Sequence, residues 1–498
     1  MEIAVVHGAP AEVEADVLVF GVPDPVALPP AARELDRAVE GRLERLIADG
    51  EIKGEEGCVA LLHSEGKTAA PRVLAVGVGD EGTPDPDRLR TAAAAAAARA
   101  GDVGGRTVAW LLDGDSSVSA AEQARAIVDG TAIGPYEAGR WKTDGEAQPQ
   151  IERLVLWGEG GDAVAEEARR AAVVAAWTNR CRDLVNAPPN ELTPESLCSW
   201  AEETAGSTGL RFEALGPDEI RAAGMGAFTA VGQGSHNAPR LITLAYEPER
   251  PGRPDLRLGL VGKAITFDAG GLSLKPAARM EEMKSDMGGG AAVLSATAAI
   301  AELGLPVRVL TVVPSCENMP GGHAYRPGDI IRALNGKTIE VTNTDAEGRL
   351  ILADALWYTR ESGATHLLDL ATLTGAMVIA MGDYYAGLFA NDEAWRQEIE
   401  AAATASGDHV WPWPLHDTYR RFIDSRFADM KNSSEYRQGS PILAARCLQE
   451  FVGEGPWAHL DIAGTAYLER GRGDYYTELG ATGYGVRLLA ELADRLSH

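Results

Sequence analysis

The stretch "LRLGLVG" at residues 256–262 is a short apolar run ending in glycine, as expected of a buried strand. A helical pattern follows, "AAVLSATAAIAEL" (291–303), and then a second apolar run, "VRVLTVVP" (307–314). Strands that alternate with helices imply a largely parallel sheet covered on both faces. This stretch therefore predicts an α/β fold.

The same alternation extends in both directions along the chain. Similar runs are "RLITLAY" (240–246), "THLLDLA" (365–371) and "AHLDIAG" (458–464), and in the first third "EIAVV", "DVLVF", "RVLAVGV", "RTVAWLL" and "ERLVLW". The alanine-rich tract "RTAAAAAAARA" (90–100) predicts a small-residue packing helix. Residues 162–185 have the pattern of one long helix, which ends before the Pro- and Asn-rich "NAPPNELTPESL".

We therefore predict two domains, each built on a mixed, largely parallel sheet flanked by helices. The predicted boundaries are residues 1–161 for an N-terminal α/β domain, 162–185 for a linking helix and 186–498 for a larger C-terminal catalytic domain. Length alone is compatible with this division, since 498 residues suffice for two to four domains. We find no internal repeats.

The composition is that of an ordinary globular protein, with 45% hydrophobic and 24% charged residues. The formal net charge of -27 repels phosphate backbones and argues against general nucleic-acid affinity. The start of the chain has no basic segment ahead of an apolar one, and no apolar run reaches the length of a bilayer crossing. Five scattered cysteines without a C-x-x-C pair predict reduced thiols and a cytoplasmic location.

Two sequence motifs resemble phosphate-binding sites, and we reject that interpretation for both. "GVGDEG" (77–82) matches G-x-G-x-x-G, but Pro84 and Pro86 follow where a dinucleotide site needs a helix start, so we predict a plain turn. "NGKT" resembles the end of a phosphate loop, but Ile331 occupies the position of its first glycine.

The segment "NTDAEGRL" (343–350) places two acids, a glycine and an arginine within one turn of backbone. It follows "RALNGKTIEV", in which Asn335-Gly336 predicts a two-residue hairpin turn. One interpretation is a capping box from Thr344 to Glu347 at the start of a helix. That interpretation requires neither Asp345 nor Arg349.

A second group of charges follows the strand with which we began, in "VGKAITFDAGGLSLKPAARMEEMKSDMGGG" (261–290). Lys263 and Asp268 bracket a short apolar stretch, and Lys275 comes after the sharp turn that Gly270-Gly271 permits. Three acids come next, Glu281, Glu282 and Asp286, and spacing leaves open which of them binds a ligand. The glycines at 288–290 would let the backbone approach that ligand.

Acids near strand ends beside a glycine-lined helix start predict a metal site with oxygen ligands. No H-E-x-x-H occurs, and neither charged segment contains a histidine. Carboxylate sites suit magnesium and manganese, and zinc also accepts Asp and Glu. Two ions about 3.5–4 Å apart would activate a water and polarise a carbonyl or phosphoryl oxygen.

These motifs resemble those of the leucyl aminopeptidase (cytosol aminopeptidase) family. "NTDAEGRL" has the form of the family signature, and the resemblance covers roughly Arg182 to Leu489, with the N-terminal part similar in layout only. The other matching motifs, in the family's order, are "RDLVNAPPNELTP", "VGQGS", "VGKAITFDAGG", "KPA", "MKSDMGG", "DLATLTGA", "WAHLDIAGTA" and "GATGYGVRLL".

The resemblance implies two divalent ions, manganese or zinc, with magnesium or cobalt as alternatives. The residues that it assigns to them are Lys263, Asp268, Asp286, Asp345 and Glu347. The more tightly bound ion would be held by Lys263, Asp268, Asp286 and Glu347. The more exchangeable ion would be held by Asp268, Asp345 and Glu347. Lys263 would have to be neutral to donate a lone pair.

The implied reaction is hydrolysis of the N-terminal peptide bond by a metal-activated water. Lys275 would stabilise the oxyanion, Arg349 would hold a bicarbonate, and Gly348 would leave room for that anion. The residues implied to line the pocket for a leucine-like first side chain are Met283, Thr372, Gly375, Ala463 and Ala466. The resemblance also implies peptide substrates and a homohexamer.

The sequence departs from the family pattern at three places. Ala264 stands where glycine is usual and Ala269 where serine is usual, and the loop near Ser440-Pro441 is atypical. Neither alanine is at a proposed ligand or at the catalytic lysine, so we expect activity to survive these two changes. The atypical loop concerns the local pocket or a subunit contact. Two other hypotheses are a DNA-binding or regulatory protein on the same fold and a two-metal phosphatase, which lacks a matched phosphate cradle.

Overall fold

The computed structural model describes residues 1–80, 85–143, 151–436 and 438–498. Its contacts define two compact units, one of residues 1–179 with 470–479 and the other of residues 180–469 with 480–498. Both are α/β, and the larger, C-terminal one carries the charged segments described above. The fold class predicted from the sequence is confirmed, whereas the boundaries at 161/162 and 185/186 stay a prediction.

In the described part of the first unit, six strands form one sheet in the order β1-β6-β5-β2-β4-β3. All neighbours are parallel except the edge pair of β3 and β4. The strands are β1 (Glu2–Val6), β2 (Val17–Asp24), β3 (Val59–His63), β4 (Arg72–Asp80), β5 (Thr107–Leu111) and β6 (Arg153–Trp157). The sequence analysis found all of them except β3, a short strand at the edge of the sheet.

Helices cover this sheet: α1 (Pro30–Ala38), α2 (Arg42–Ala48), α3 (Pro86–Asp102), α4 (Ala120–Ile133) and the first part of α5 (Gly161–Asn186). The alanine tract lies within α3, and most of its methyl groups are buried. Helix α4 packs closely on α3 at Gly130, where a Cβ would lie 2.1 Å from the carbonyl oxygen of Arg90. The long helix predicted at 162–185 is confirmed as α5.

The rejected dinucleotide motif lies partly outside the described residues, at 81–82. Our reason for rejecting it, that Pro86 excludes a helix start, was wrong, because α3 begins at Pro86 itself. Asp85 caps α3 by accepting a hydrogen bond from the Asp87 amide, and Pro86 opens the helix. Proline is tolerated at the first helical position, where its missing N–H has no intrahelical partner.

Within the described residues of the second unit, the main sheet has the order β16-β15-β18-β14-β9-β11-β8-β7, and β10 pairs with β11. The central strands β18, β14, β9, β11 and β10 are parallel. The strands are β7 (Arg211–Leu215), β8 (Arg240–Tyr246), β9 (Arg257–Gly262), β10 (Ala264–Asp268), β11 (Arg308–Asn318), β14 (His366–Ala371), β15 (Ala386–Ala390), β16 (Val410–Pro412) and β18 (Trp457–Asp461).

The helices of this unit are α6 (Pro194–Thr208), α7 (Pro217–Ala222), α8 (Gly226–Gly232), α9 (Gly288–Leu303), α10 (Gly348–Glu361), α11 (Gly375–Met381), α12 (Glu393–Ser406), α13 (Ser440–Gln449) and α14 (Val486–Arg495). The opening stretch forms the predicted unit, in which α9 connects the parallel neighbours β9 and β11. Most of α9 is buried, which explains why its sequence is apolar on all sides.

A small separate sheet joins β12 (Ile330–Arg332), β13 (Thr338–Glu340) and β17 (Met430–Lys431), and β19 (Tyr467–Leu468) pairs with β20 (Gly480–Ala481). The predicted hairpin is present as β12 and β13. The Gly336 amide donates to the carbonyl of Ala333, so the turn is centred on Leu334-Asn335, one residue earlier than predicted. Gly336, at φ +87°, takes the left-handed position that follows such a turn.

Among the described residues, no helix is both long and apolar enough for a membrane crossing. The five cysteines are free thiols, and all but Cys58 are buried.

Candidate metal centre and substrate pocket

The charged residues picked out by the sequence meet at the carboxyl ends of the central parallel strands. Lys263 lies between β9 and β10, and Asp268 ends β10. Asp286 follows a 3₁₀ helix (Met280–Ser285) and precedes α9, while Asp345 and Glu347 lie just before α10. Because parallel strands end at one edge of the sheet, residues far apart in sequence are brought to one place.

Lys263 occupies a closed position between two acids. Its Nζ lies 2.8 Å from Asp286 Oδ1 and 2.8 Å from Glu347 Oε1, and it donates a 3.1 Å hydrogen bond to the carbonyl of Thr372. All three charged side chains are buried. Burial lowers the pKa of the Lys263 ammonium, but the carboxylates of Asp286 and Glu347 reverse this and raise it above its usual value.

Lys275 lies between two other acids. Its Nζ is 2.8 Å from Asp268 Oδ2 and also forms an ion pair with Asp345 Oδ1. Here too burial opposes the charged form, but the surrounding acids raise the pKa of the ammonium. The two lysines thus divide the four acids into pairs.

The donor set fits divalent cations. Oxygens of Asp268, Asp286 and Glu347 lie within 4.8 Å of one another. Four buried or half-buried acids outnumber two lysines, so positive charge is still needed there. Within the described residues, the buried Oδ2 of Asp286 has no hydrogen-bond partner. Burial raises the pKa of Asp268 to about 6 and raises that of Asp286 well above its usual value, although each carboxylate has a lysine partner.

Arg349 lies in the first turn of α10 with its guanidinium buried. Its Nη1 donates a 2.9 Å hydrogen bond to the carbonyl of Asn432. Its Nε is buried and has no hydrogen-bond partner in the part of the chain that the structure describes. A donor remains there for an anion.

The predicted pocket residues come from three segments at this edge. Met283 belongs to the 3₁₀ helix before Asp286, Thr372 and Gly375 follow β14, and Ala463 and Ala466 follow β18. Thr372 borders the charged cluster directly, since its hydroxyl donates a 2.8 Å hydrogen bond to Asp286 Oδ1. A Cβ on Gly288 would lie 3.3 Å from Ala466 and 3.8 Å from Thr372, so these two residues face the same space.

Comparison with known proteins agrees with this geometry. A model of the cytosol aminopeptidase family catalytic domain matches residues 179–490, and a model of the family's N-terminal domain matches residues 17–145. The chain belongs to the cytosol aminopeptidase family. It is therefore an aminopeptidase, a hydrolase of peptide bonds, and the family resemblance predicted from the motifs is confirmed.

Individual relatives match over nearly the whole chain. A "Probable cytosol aminopeptidase" of Roseiflexus castenholzii is 42% identical over 99% of this chain and 98% of its own length, and one of Solibacter usitatus is 43% identical over 99% of both.

Two kinds of solved structure are similar. The bottromycin maturation enzyme BotP in complex with Mn has 37% identity and a TM-score of 0.85, covering 97% of this chain and 100% of its own. A mutant of tomato leucine aminopeptidase has 33% identity and a TM-score of 0.89, covering 99% of this chain and 96% of its own.

Several residues of this cytosol aminopeptidase organise the cluster but were missed by the sequence analysis. The side-chain amide of Asn318 donates through Nδ2 to Asp268 Oδ1 at 2.8 Å and to the carbonyl of Thr344 at 3.0 Å. The Tyr325 hydroxyl donates to the same carbonyl at 2.6 Å. Asn318 ends β11, so a polar residue at the end of a buried run was the signal available.

A further missed residue is Asp461, at the end of β18. Its Oδ2 accepts a 2.6 Å hydrogen bond from the Thr374 hydroxyl, and its Oδ1 accepts the amides of Leu373 and Ala463 at 3.2 and 3.3 Å. It therefore ties together two of the segments that carry pocket residues.

The capping-box interpretation of Thr344 is wrong. Its hydroxyl accepts a hydrogen bond from the Ser273 amide and donates to the Gly270 carbonyl, both at 2.7 Å. The N-cap of α10 is Glu347 itself, without a side-chain cap. Thr344 instead fastens the metal loop, residues 342–347, to the turn at Gly270-Gly271. Both glycines have positive φ, as the predicted sharp turn requires.

Three glycines of the site allow close contacts with other parts of the protein. A Cβ on Gly348 would lie 2.8 Å from Lys263 Nζ, so this glycine admits the lysine. That it also leaves room for an anion stays a prediction. Within the predicted ligand-facing run 288–290, a Cβ on Gly289 would lie 2.0 Å from the Leu370 carbonyl and one on Gly290 would lie 2.7 Å from the Ala264 methyl. These two glycines let α9 pack against the sheet.

The two alanines that depart from the family pattern make apolar or backbone contacts. The methyl of Ala264 packs against Gly290, whereas Ala269 meets its neighbours through backbone, donating to the Asn318 carbonyl and accepting from the Lys275 amide, both at 3.0 Å. Ser440 and Pro441 open α13, and residue 437 in the preceding loop lies outside the described residues.

Proposed function

We propose that this aminopeptidase works with two divalent ions held by Lys263, Asp268, Asp286, Asp345 and Glu347. The observation that carries the proposal is the convergence of these residues on one buried point, with too few cations among them. Manganese or zinc, with magnesium or cobalt as alternatives, suits such ligands, and the similar BotP structure is a complex with Mn.

The division of acids between two lysines supports a division of ligands. Lys263, Asp286 and Glu347 would hold the more enclosed ion, and Asp345 would hold the more exposed one. Asp268 would bridge together with Glu347. When bound, the ions would supply Lewis acidity and an activated water. Because Lys263 carries a proton in the protein without metal, its ligation would release that proton.

Lys275 is the group that would stabilise charge on the substrate. Its ammonium stands beside Asp268 and Asp345 and is partly exposed, so it can donate to the oxygen of the scissile carbonyl. Arg349, whose buried Nε has no partner among the described residues, would bind a bicarbonate that receives and returns protons.

The substrates would be peptides with a free N-terminal amine and a leucine-like first side chain. Small and apolar residues at positions 283, 372, 375, 463 and 466 support this preference, and the structurally similar tomato protein is a leucine aminopeptidase. We also propose a cytoplasmic homohexamer, for which sedimentation velocity is the direct test.

Chelated protein resupplied with each metal in turn tests the proposal. We expect leucine anilide to be hydrolysed only after a divalent ion is added, and N-acetyl-leucine anilide and a phosphate ester not to be hydrolysed at all. Undiminished turnover after complete chelation, verified by elemental analysis, would show that the ions are dispensable.

A further inference from the structure

Asn432, in the loop after β17, makes contacts along the whole metal loop. Its Oδ1 accepts the amide of Thr342 at 2.8 Å, and its Nδ2 donates to the carbonyls of Asn343 and Ala346 at 2.6 and 3.3 Å. The side chain is fully buried. One side-chain amide therefore fixes both ends of the segment that contains Asp345.

The backbone of the same residue fixes Arg349. The carbonyl of Asn432 accepts the 2.9 Å hydrogen bond from Arg349 Nη1. Asn432 thus contacts residues on both sides of Asp345 and Glu347, the two acids that pair with different lysines.

Asn432 is itself held on the small sheet. β17, which precedes it, pairs with β13, and the Asn432 amide donates to the Glu340 carbonyl at 3.0 Å. Asp429 strengthens the attachment by accepting hydrogen bonds from the amide and hydroxyl of Thr338 at 2.8 and 2.9 Å. The metal loop is therefore braced against an element outside the main sheet.

Asparagine is the side chain that this position needs. It must accept from one backbone amide and donate to two backbone carbonyls from a single planar group. Aspartate would turn a second oxygen towards those carbonyls, and alanine would remove the partner of all three backbone groups, of which the contact to Ala346 is buried.

We propose that Asn432 is a positioning residue that holds Asp345, Glu347 and Arg349 in the arrangement needed for metal binding and catalysis. This inference rests on the proposed two-metal function. Partners of ligating groups are typically worth about 10- to 100-fold in metal affinity. We therefore expect Asn432→Ala to raise the Kd for Mn²⁺ by about that factor.

The test is calorimetric titration of Mn²⁺ into chelated, full-length protein. The control is Asn391→Ala, because Asn391 likewise accepts a backbone amide, that of Trp457 at 2.7 Å, and donates to a backbone carbonyl, that of Gly455 at 3.1 Å. It lies near the opposite end of β18 from Asp461. We expect the control to bind Mn²⁺ like the wild type.

Hydrogen exchange of the metal loop provides a second readout, and Asn432→Ala should accelerate exchange at residues 342–347. Asn432→Ser, which keeps one polar atom in the buried space, gives the same test if the alanine variant does not fold. Unchanged Mn²⁺ affinity in Asn432→Ala would overturn the positioning role while leaving the proposed function intact. An equal loss of affinity in Asn432→Ala and in the control Asn391→Ala would do the same. A wild type that binds no Mn²⁺ would overturn the proposed function and this inference together.

Discussion

The two lysines of the site have partners of the same kind, two carboxylates each, in different surroundings. Each ammonium lies between two carboxylates, but the Lys263 side chain is 3% exposed and that of Lys275 is 21% exposed. One acid of each pair differs in the same direction, since the side chain of Asp286 is 8% exposed and that of Asp345 is 33% exposed, while Glu347 and Asp268 are equally buried. The site thus has a closed half and an open half.

This difference gives a physical basis for assigning different roles to two chemically identical groups. A group that reacts with a peptide has to meet it, and only the ammonium of the open half reaches solvent. The closed half excludes water, so its lysine is suited to hold an ion permanently. The same comparison supports the tighter ion beside Lys263 and the more exchangeable one beside Asp345.

The largest effect should come from the open half. We expect Lys275→Ala to lower kcat for leucine anilide by about 10²–10³-fold, the usual cost of removing a donor to a developing oxyanion. Metal content, measured by elemental analysis, should stay at the wild-type value. Lys284→Ala is the control, because Lys284 donates to the Asn186 carbonyl and belongs to neither half. Unchanged turnover would remove Lys275 from the mechanism.

The sequence predicted the acids of both halves because motifs and strand ends are local features. Strands such as β9, β11 and β14 are runs of apolar residues that are buried on both faces, and parallel strands bring the residues that follow them to one edge of the sheet. The short strands β3, β7, β15 and β16, which lie at or next to the edges of their sheets, were missed, because strands of this kind lack a strong periodic signal.

What the sequence could not predict are partners that meet through tertiary structure. Asn318 and Asn432 contact the metal loop with single amide groups from segments 26 and about ninety residues away. The choice among Glu281, Glu282 and Asp286 was also undecided by spacing. The fold favours Asp286, which alone of the three pairs with Lys263 and is buried.

A second effect, on the pH dependence of stability, should come from the different pKa values of Asp268 and Glu347, the two acids proposed to hold both ions. Burial raises the pKa of Asp268 to about 6, whereas Lys263 and Lys275 overcome burial and lower that of Glu347 to about 2. Because the folded pKa of Asp268 exceeds its unfolded value, the protonated acid stabilises the metal-free fold below about pH 4, and this stability is lost as pH rises through about 6. The expected loss is on the order of 3 kcal/mol.

Urea unfolding of chelated protein at a series of pH values measures this effect. The free energy of unfolding of the wild type should fall relative to that of Asp268→Asn as pH rises over this range, since the amide does not titrate. Added Mn²⁺ should stabilise the wild type more at neutral than at acidic pH, because the ion replaces protons. A pH-independent difference between the two proteins would contradict the raised pKa.

The smallest effect should come from the wall of the closed half. A methyl on Gly348 would lie 2.8 Å from Lys263 Nζ and 2.9 Å from its Cδ and Cε, so Gly348→Ala should push the ammonium away from Asp286 and Glu347. Alanine favours a helix over glycine by about 1 kcal/mol, so the fold should persist while Mn²⁺ affinity falls by about tenfold. Gly206→Ala, in α6 with no atom within 4 Å of the added Cβ, is the control for helix propensity alone. If both variants bind Mn²⁺ as the wild type does, Lys263 is not held by this wall, and the closed half is less rigid than its burial indicates.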